Sequence, residues 1–146
     1  MNPLIPLTLL AGTLLSLQAG INTRLRTGLS DPILAALVSF VVGTAALAVL
    51  AVLRRTDLPT AATLAHIPWW AWMGGFLGAI YVAGVTVVAP RLGVAALTAL
   101  VVAGQLAMAL VLDHFGWLGF ARRPVDLARV AGVAMVLGGA LLTLRK

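Results

Sequence analysis

The side chains that could do chemistry within the long apolar stretches of this sequence are amides, hydroxyls and arginines rather than carboxylates. Gln18 and Asn22 stand four residues apart, with Arg24 close behind, while Thr98 and Gln105 stand seven apart. On a helix each spacing puts its pair on one face. An amide turned to hydrocarbon is costly unless it is satisfied. Gln18, Asn22 and Gln105 therefore either line a water-accessible cavity or hydrogen-bond across helices, and three such amides together favour the cavity. Arg24 extends that polar face into a mouth, or snorkels to headgroups. Tyr81 shares the face of Gly74 and Gly78 and is either a cavity wall or ordinary packing.

Asp113 and His114 are the acid and histidine that adjoin. They could titrate as a proton site, although a solvated helix end is the plainer reading. No catalytic set surrounds them. Hydrolytic or metal chemistry needs a nucleophile, an acid–base pair or a ligand cluster at helical spacing. His66 and His114 lie in different loops without an acidic cluster to complete a metal site. The absence of cysteine removes disulfides, thiolate chemistry and Cys-based metal binding. No enzyme activity, cofactor or metal is expected.

The elements that must position these residues follow from composition. The chain is 62 % hydrophobic and 10 % charged, and it has no glutamate; soluble domains run at roughly 45–50 % apolar and about 25 % charged. Too few polar residues remain to coat a soluble core, so the apolar surplus must face lipid. The fold class expected is an all-α integral membrane protein of 146 residues in one transmembrane domain. Five runs are long enough to span the bilayer, over 3–23, 32–53, 68–89, 94–112 and 127–144. Ser30-Asp31-Pro32 is a helix-start signal for the second, and Asp126 is a plausible N-cap for the last. Part of the stretch 59–66 reads as a short interfacial helix. Trp69, Trp70 and Trp72 form an aromatic belt at the start of the third span, and Pro90-Arg91-Leu92-Gly93 reads as a tight break after it. No positive n-region precedes the first run, which is read as a retained helix rather than a cleaved signal.

The formal charge of +6 sits in pairs or singly at the ends of apolar runs. That placement suits lipid headgroups, and no basic stripe with interleaved aromatics exists to track nucleic acid. Five spans put the termini on opposite sides. Arg54, Arg55, Arg122, Arg123 and Arg129 then share the N-terminal side, facing Arg24, Arg26, Arg91, Arg145 and Lys146 on the other. Five against five gives no positive-inside bias. Either one pair dominates insertion, or a span boundary lies elsewhere, or copies insert both ways and pair as an antiparallel dimer, which the even division favours. Helices in lipid associate through small residues four apart. Ala95, Ala99, Ala103 and Ala107 make the longest such seam, with Gly12, Ser16 and Gly20 in the first span and Gly74 and Gly78 in the third.

Several runs together resemble a known family. Gln18-Ala-Gly-Ile-Asn22-Thr-Arg24-Leu25, the Pro68 to Tyr81 stretch with its tryptophans and glycines, and Pro90-Arg91-Leu92-Gly93 are three of them. Gly104-Gln105, Asp113-His114-Phe115-Gly116-Trp117 and Arg129-Val-Ala-Gly132 complete the set. This pattern is similar to the YdcZ-like half-size family of the drug/metabolite transporter superfamily. The resemblance implies small five-helix proteins that occur as antiparallel homodimers, heterodimeric pairs or fused chains, in the bacterial cytoplasmic (inner) membrane. It supplies no substrate. The related small multidrug exporters carry a first-helix glutamate that binds protons and cations, and this chain has none. The function expected is a secondary transporter acting as an antiparallel homodimer or with a paired homologue, its polar site near the midplane. A neutral or anionic small molecule suits that site better than an organic cation. An amide-lined ion channel and a non-transporting membrane subunit are the alternatives.

Overall fold

A computed structural model of the chain describes residues 4–144; Pro3, Arg145 and Lys146 lie outside the described residues. All the regular structure among these is helical. The long helices are α1 (Leu4–Leu29), α2 (Pro32–Leu53), α4 (Met73–Leu92), α5 (Val94–Phe115) and α6 (Leu127–Thr143). A single-turn-scale helix α3 (Ala61–Ala65) and a 3-10 turn (Trp69–Trp72) lie between α2 and α4, and a second 3-10 turn (Trp117–Gly119) follows α5. The chain divides into two compact units, Met1–Ala89 and Pro90–Lys146.

Four helical segments are long and apolar enough to cross a membrane: Leu4–Leu29, Pro32–Leu53, Trp69–Leu92 and Val94–Phe115. The fifth, α6, is apolar but spans 17 residues. Large side chains point outward along all of them, as with Leu9 at 68 % and Leu47 at 69 % exposure. The buried positions are mostly alanine: Ala19, Ala35, Ala36, Ala89, Ala96, Ala103 and Ala140. Bulky residues outside and small ones inside is the arrangement lipid imposes, since tails are as apolar as leucine and only close packing holds helices together.

Local chemistry sets the helix ends. Asp31, extended at φ −146° and ψ 127°, accepts from the Leu34 N–H at 2.7 Å while Pro32 takes the first helical position. Asp126 does the same for the Arg129 N–H at 2.8 Å. Thr60 caps α3 within the stretch read as interfacial. The helix α1 continues to Leu29, six residues past Thr23, so Arg24 and Arg26 belong to its last turns. The helix α5 likewise continues to Phe115 and carries Asp113 and His114 in its final turn.

The expected break over Pro90–Gly93 needs correcting. Pro90, Arg91 and Leu92 are helical, and the break falls on Gly93 alone, at φ 78° and ψ 156°. Pro90 deprives the helix of one N–H, the one that would reach the carbonyl of Thr86. The Arg26 guanidinium donates to that carbonyl instead, at 3.4 Å. A proline inside a membrane helix is tolerated when another group takes up the freed backbone atom, and here the helix runs on for two residues.

Candidate functional site

In the first unit α1 and α2 pack against each other. The Phe40 ring of α2 lies over Gly78 of α4, 3.5 Å from where a Cβ would stand. Gly74, one turn earlier, meets nothing within 4 Å. The interior face of α1 carries Ala19 and Asn22, and that of α4 carries Val82, Thr86 and Ala89. Asn22 at 4 % and Thr86 at 0 % exposure are the buried polar residues among those described.

The two are satisfied differently. The Thr86 hydroxyl donates to the Val82 carbonyl at 2.7 Å, back along its own helix. The Asn22 amide makes no side-chain hydrogen bond to any described residue. Among the described residues no fully enclosed side-chain nitrogen or oxygen lacks a partner, so the small part of Asn22 that stays accessible includes its amide. Arg26 lies one turn further along the same face and is part-buried. It reaches Thr86 on α4 through the bond described above.

The other expected residues are placed less centrally. Gln18 is exposed, as are Arg24 and Gln105, and Thr98 is half-buried. Tyr81 is 37 % exposed, beside buried Val82. At about 100° per residue Arg24 points some 200° away from both Asn22 and Arg26. It lies instead along an exposed strip with Ile21, Leu25 and Gly28. Arg26, not Arg24, is the arginine on the face of Asn22. The spacing of four residues from Asn22, and of four from Thr86 to Pro90, was the signal for it. Of the alanine seam, Ala103 is buried, Ala99 half-buried, and Ala95 and Ala107 exposed. A step of four residues drifts by roughly 40° on a helix of about 3.6 residues per turn. Three steps carry the seam a third of the way round, and the buried stripe runs through Ala96, Leu97 and Ala103 instead.

In the second unit α5 and α6 pack along their length. Between them lies an open apolar groove of about 530 Å³ whose lining includes Ala107, Leu110, Val133 and Leu137, with His114 at one end. Asp113 forms an ion pair with Arg129 of α6, the one salt bridge among the described residues. Arg129 also donates to the Arg123 carbonyl at 2.9 Å. The Arg123 N–H donates to the Asp113 carbonyl at 2.7 Å, and Arg122 Nε donates to the His114 carbonyl at 3.2 Å. His114 Nδ1 accepts from the Val125 N–H at 3.2 Å. A backbone N–H can only donate, so Nδ1 is the acceptor in this bond. Asp113 and His114 thus knit the 116–126 loop to the end of α5. No group of three or more metal-ligating side chains occurs among the described residues.

Long apolar helices with bulky exteriors and small interior residues define an integral membrane protein. The family model described as "Putative inner membrane exporter, YdcZ" matches residues 3–142. The chain belongs to this family, the one its sequence motifs resemble, and is an inner membrane protein of the transporter class. The family is one of exporters rather than enzymes. No curated protein and no solved structure matches the chain.

Proposed function

We propose that the chain is a secondary transporter that works as an antiparallel dimer of five-span subunits, moving a small molecule along a polar pathway near the membrane midplane. The observation that carries this reading is the burial of Asn22 and Thr86 in a chain whose other buried residues are apolar and mostly alanine. A polar group kept inside a lipid-facing bundle is costly unless satisfied; Thr86 is satisfied within its own helix, and it is Asn22 that supports a polar pathway here. Gln18 on α1 and, separately, Thr98 and Gln105 on α5 are further candidates for polar contacts with a solute.

The dimer rests on two supports. The basic residues divide evenly between the two sides of a five-span topology. And α1 and α2 each bury only two residues, leaving long apolar faces for a second copy to cover. As the fifth span, α6 would reach about 26 Å against a hydrocarbon core of about 30 Å, and Arg145 and Lys146 follow directly. Asp113, held by Arg129, and His114, held by Val125, serve in this reading as loop anchors.

Two measurements test the proposal. Reporters fused to the C-terminus should register on both sides of the membrane; one orientation alone would remove the antiparallel dimer. In proteoliposomes, solute flux should saturate and turn over slowly. Asn22→Leu and Gln105→Leu should abolish it while the protein stays folded, and full activity in both would overturn the pathway. Flux that never saturates would make the protein a channel.

A further inference from the structure

We propose that Arg26 and Asn22 form the binding site for the carboxylate of a small organic anion, with Arg26 held in place by the Thr86 carbonyl that Pro90 leaves without its helical donor. This names the substrate class of the pathway proposed above and rests on that reading.

Three observations meet at this point. Arg26 is part-buried in the last turn of a helix long and apolar enough to span the membrane, at the mouth of the pathway rather than its middle, and forms no ion pair among the described residues. An arginine carries five N–H donors in a planar fork. The bond to Thr86 uses one of them, at 3.4 Å, longer than the usual range of about 2.7–3.2 Å. The guanidinium is therefore held loosely, with most of its donors unspent. Asn22, one turn away on the same face, is only 4 % exposed and has no side-chain hydrogen bond to a described residue. Its amide offers two further donors and an acceptor.

The donor set selects the ligand. A guanidinium pairs with a planar carboxylate through two parallel bonds, and a neutral amide beside it adds a hydrogen bond without charge. Among the described residues of α1 no second cation shares the face of Arg26, since Arg24 points away from it. One positive charge matches a monoanion better than a phosphate, whose second charge would stay unpaired. Thr86 is spent on Val82 and supplies only its carbonyl. Its role is to aim the arginine, and Thr86 is a positioning residue.

Removing Arg26 would also orphan a backbone carbonyl, so loss of function alone would not separate binding from folding. Pro90→Ala restores the N–H that Thr86 lacks. In the double variant R26Q/P90A the carbonyl has its helical partner and only the guanidinium is missing. The probes are acetate, lactate and benzoate, each compared with its own amide and with inorganic phosphate, and the readout is the thermal unfolding temperature of purified full-length protein. Tm should rise with at least one carboxylate and not with its amide. R26Q/P90A should keep the unliganded Tm and lose the rise. Asn22→Ala should weaken apparent affinity by about tenfold, one charge-assisted hydrogen bond's worth.

The carboxylate–amide comparison runs on the unaltered chain and does not depend on any variant folding. Equal shifts by acid and amide, a larger shift by phosphate, no shift by any carboxylate, or a full shift in R26Q/P90A would each overturn the site. Binding is read here without flux, so the two readings fail separately. A carboxylate shift that follows Arg26 with no saturable flux would overturn transport and support the anion site. Saturable flux with no carboxylate shift would do the reverse.

Discussion

Replacing Gly116 with alanine should loosen the turn after α5, and the cost can be divided into two parts. Gly116 ends the helix in the left-handed conformation, φ 66° and ψ 32°. An alanine there gives up about 1 kcal/mol or somewhat more. The new Cβ would also stand 3.3 Å from both Arg122 Cβ and the Phe120 carbonyl oxygen. Neither neighbour can yield freely, because Arg122 Nε is bonded to the His114 carbonyl and the Arg123 N–H to the Asp113 carbonyl. Overpacking of that kind adds about 1–3 kcal/mol, for a total of about 3 kcal/mol. Gly119 is the internal control, since it too has positive φ, 87°, but meets nothing within 4 Å. Gly119→Ala should cost about 1 kcal/mol, the backbone part alone. Unfolding of both variants by sodium dodecyl sulfate in mixed micelles, followed by tryptophan fluorescence, measures the difference. Trp117, stacked on Phe115 with ring centroids 4.8 Å apart, lies beside the turn and reports on it. The two variants should differ by about 2 kcal/mol, roughly thirtyfold in the unfolding equilibrium. Equal midpoints would mean that the loop gives way and that its hydrogen bonds do not hold it.

Arg129→Gln should cost about 1–2 kcal/mol, since the pair with Asp113 is 30 % and 27 % exposed and solvent screens part of it. A double-mutant cycle with Asp113→Asn should show coupling of about 1 kcal/mol, and additive effects would mean the pair contributes nothing. Asp31→Ala and Asp126→Ala should each cost about 1 kcal/mol by removing an N-cap; unchanged unfolding midpoints would show that water caps those helices equally well.

Much of this architecture is legible in the sequence because the bilayer dictates it. Runs of apolar residues show where helices must be, and Asp31-Pro32 and Asp126 show where two of them start. What the linear pattern does not give is the direction in which each side chain finally points. Arg24 and Arg26 look alike as charges near a helix end, yet two residues of helical rotation send them to nearly opposite faces. The ion-pair partner of Asp113, Arg129, lies 16 positions away on another helix, beyond what local spacing shows. Within one copy only Ala103 of the alanine seam is buried, because a four-residue step almost, but not quite, closes one helical turn. Pro90 read as a stop signal, which it is for an isolated helix. The arginine that lets α4 continue past it lies 60 residues earlier than the carbonyl it bonds, beyond the reach of any local rule.

The loose bond between Arg26 and Thr86 also has a mechanical side. The carbonyl and the ligand draw on different donors of one guanidinium, so occupancy of the anion site and the bending stiffness of α4 near Pro90 are reciprocally linked. A ligand that fixes the guanidinium also steadies its bond to Thr86. The carbonyl it secures lies at the proline, the point where a helix bends most cheaply.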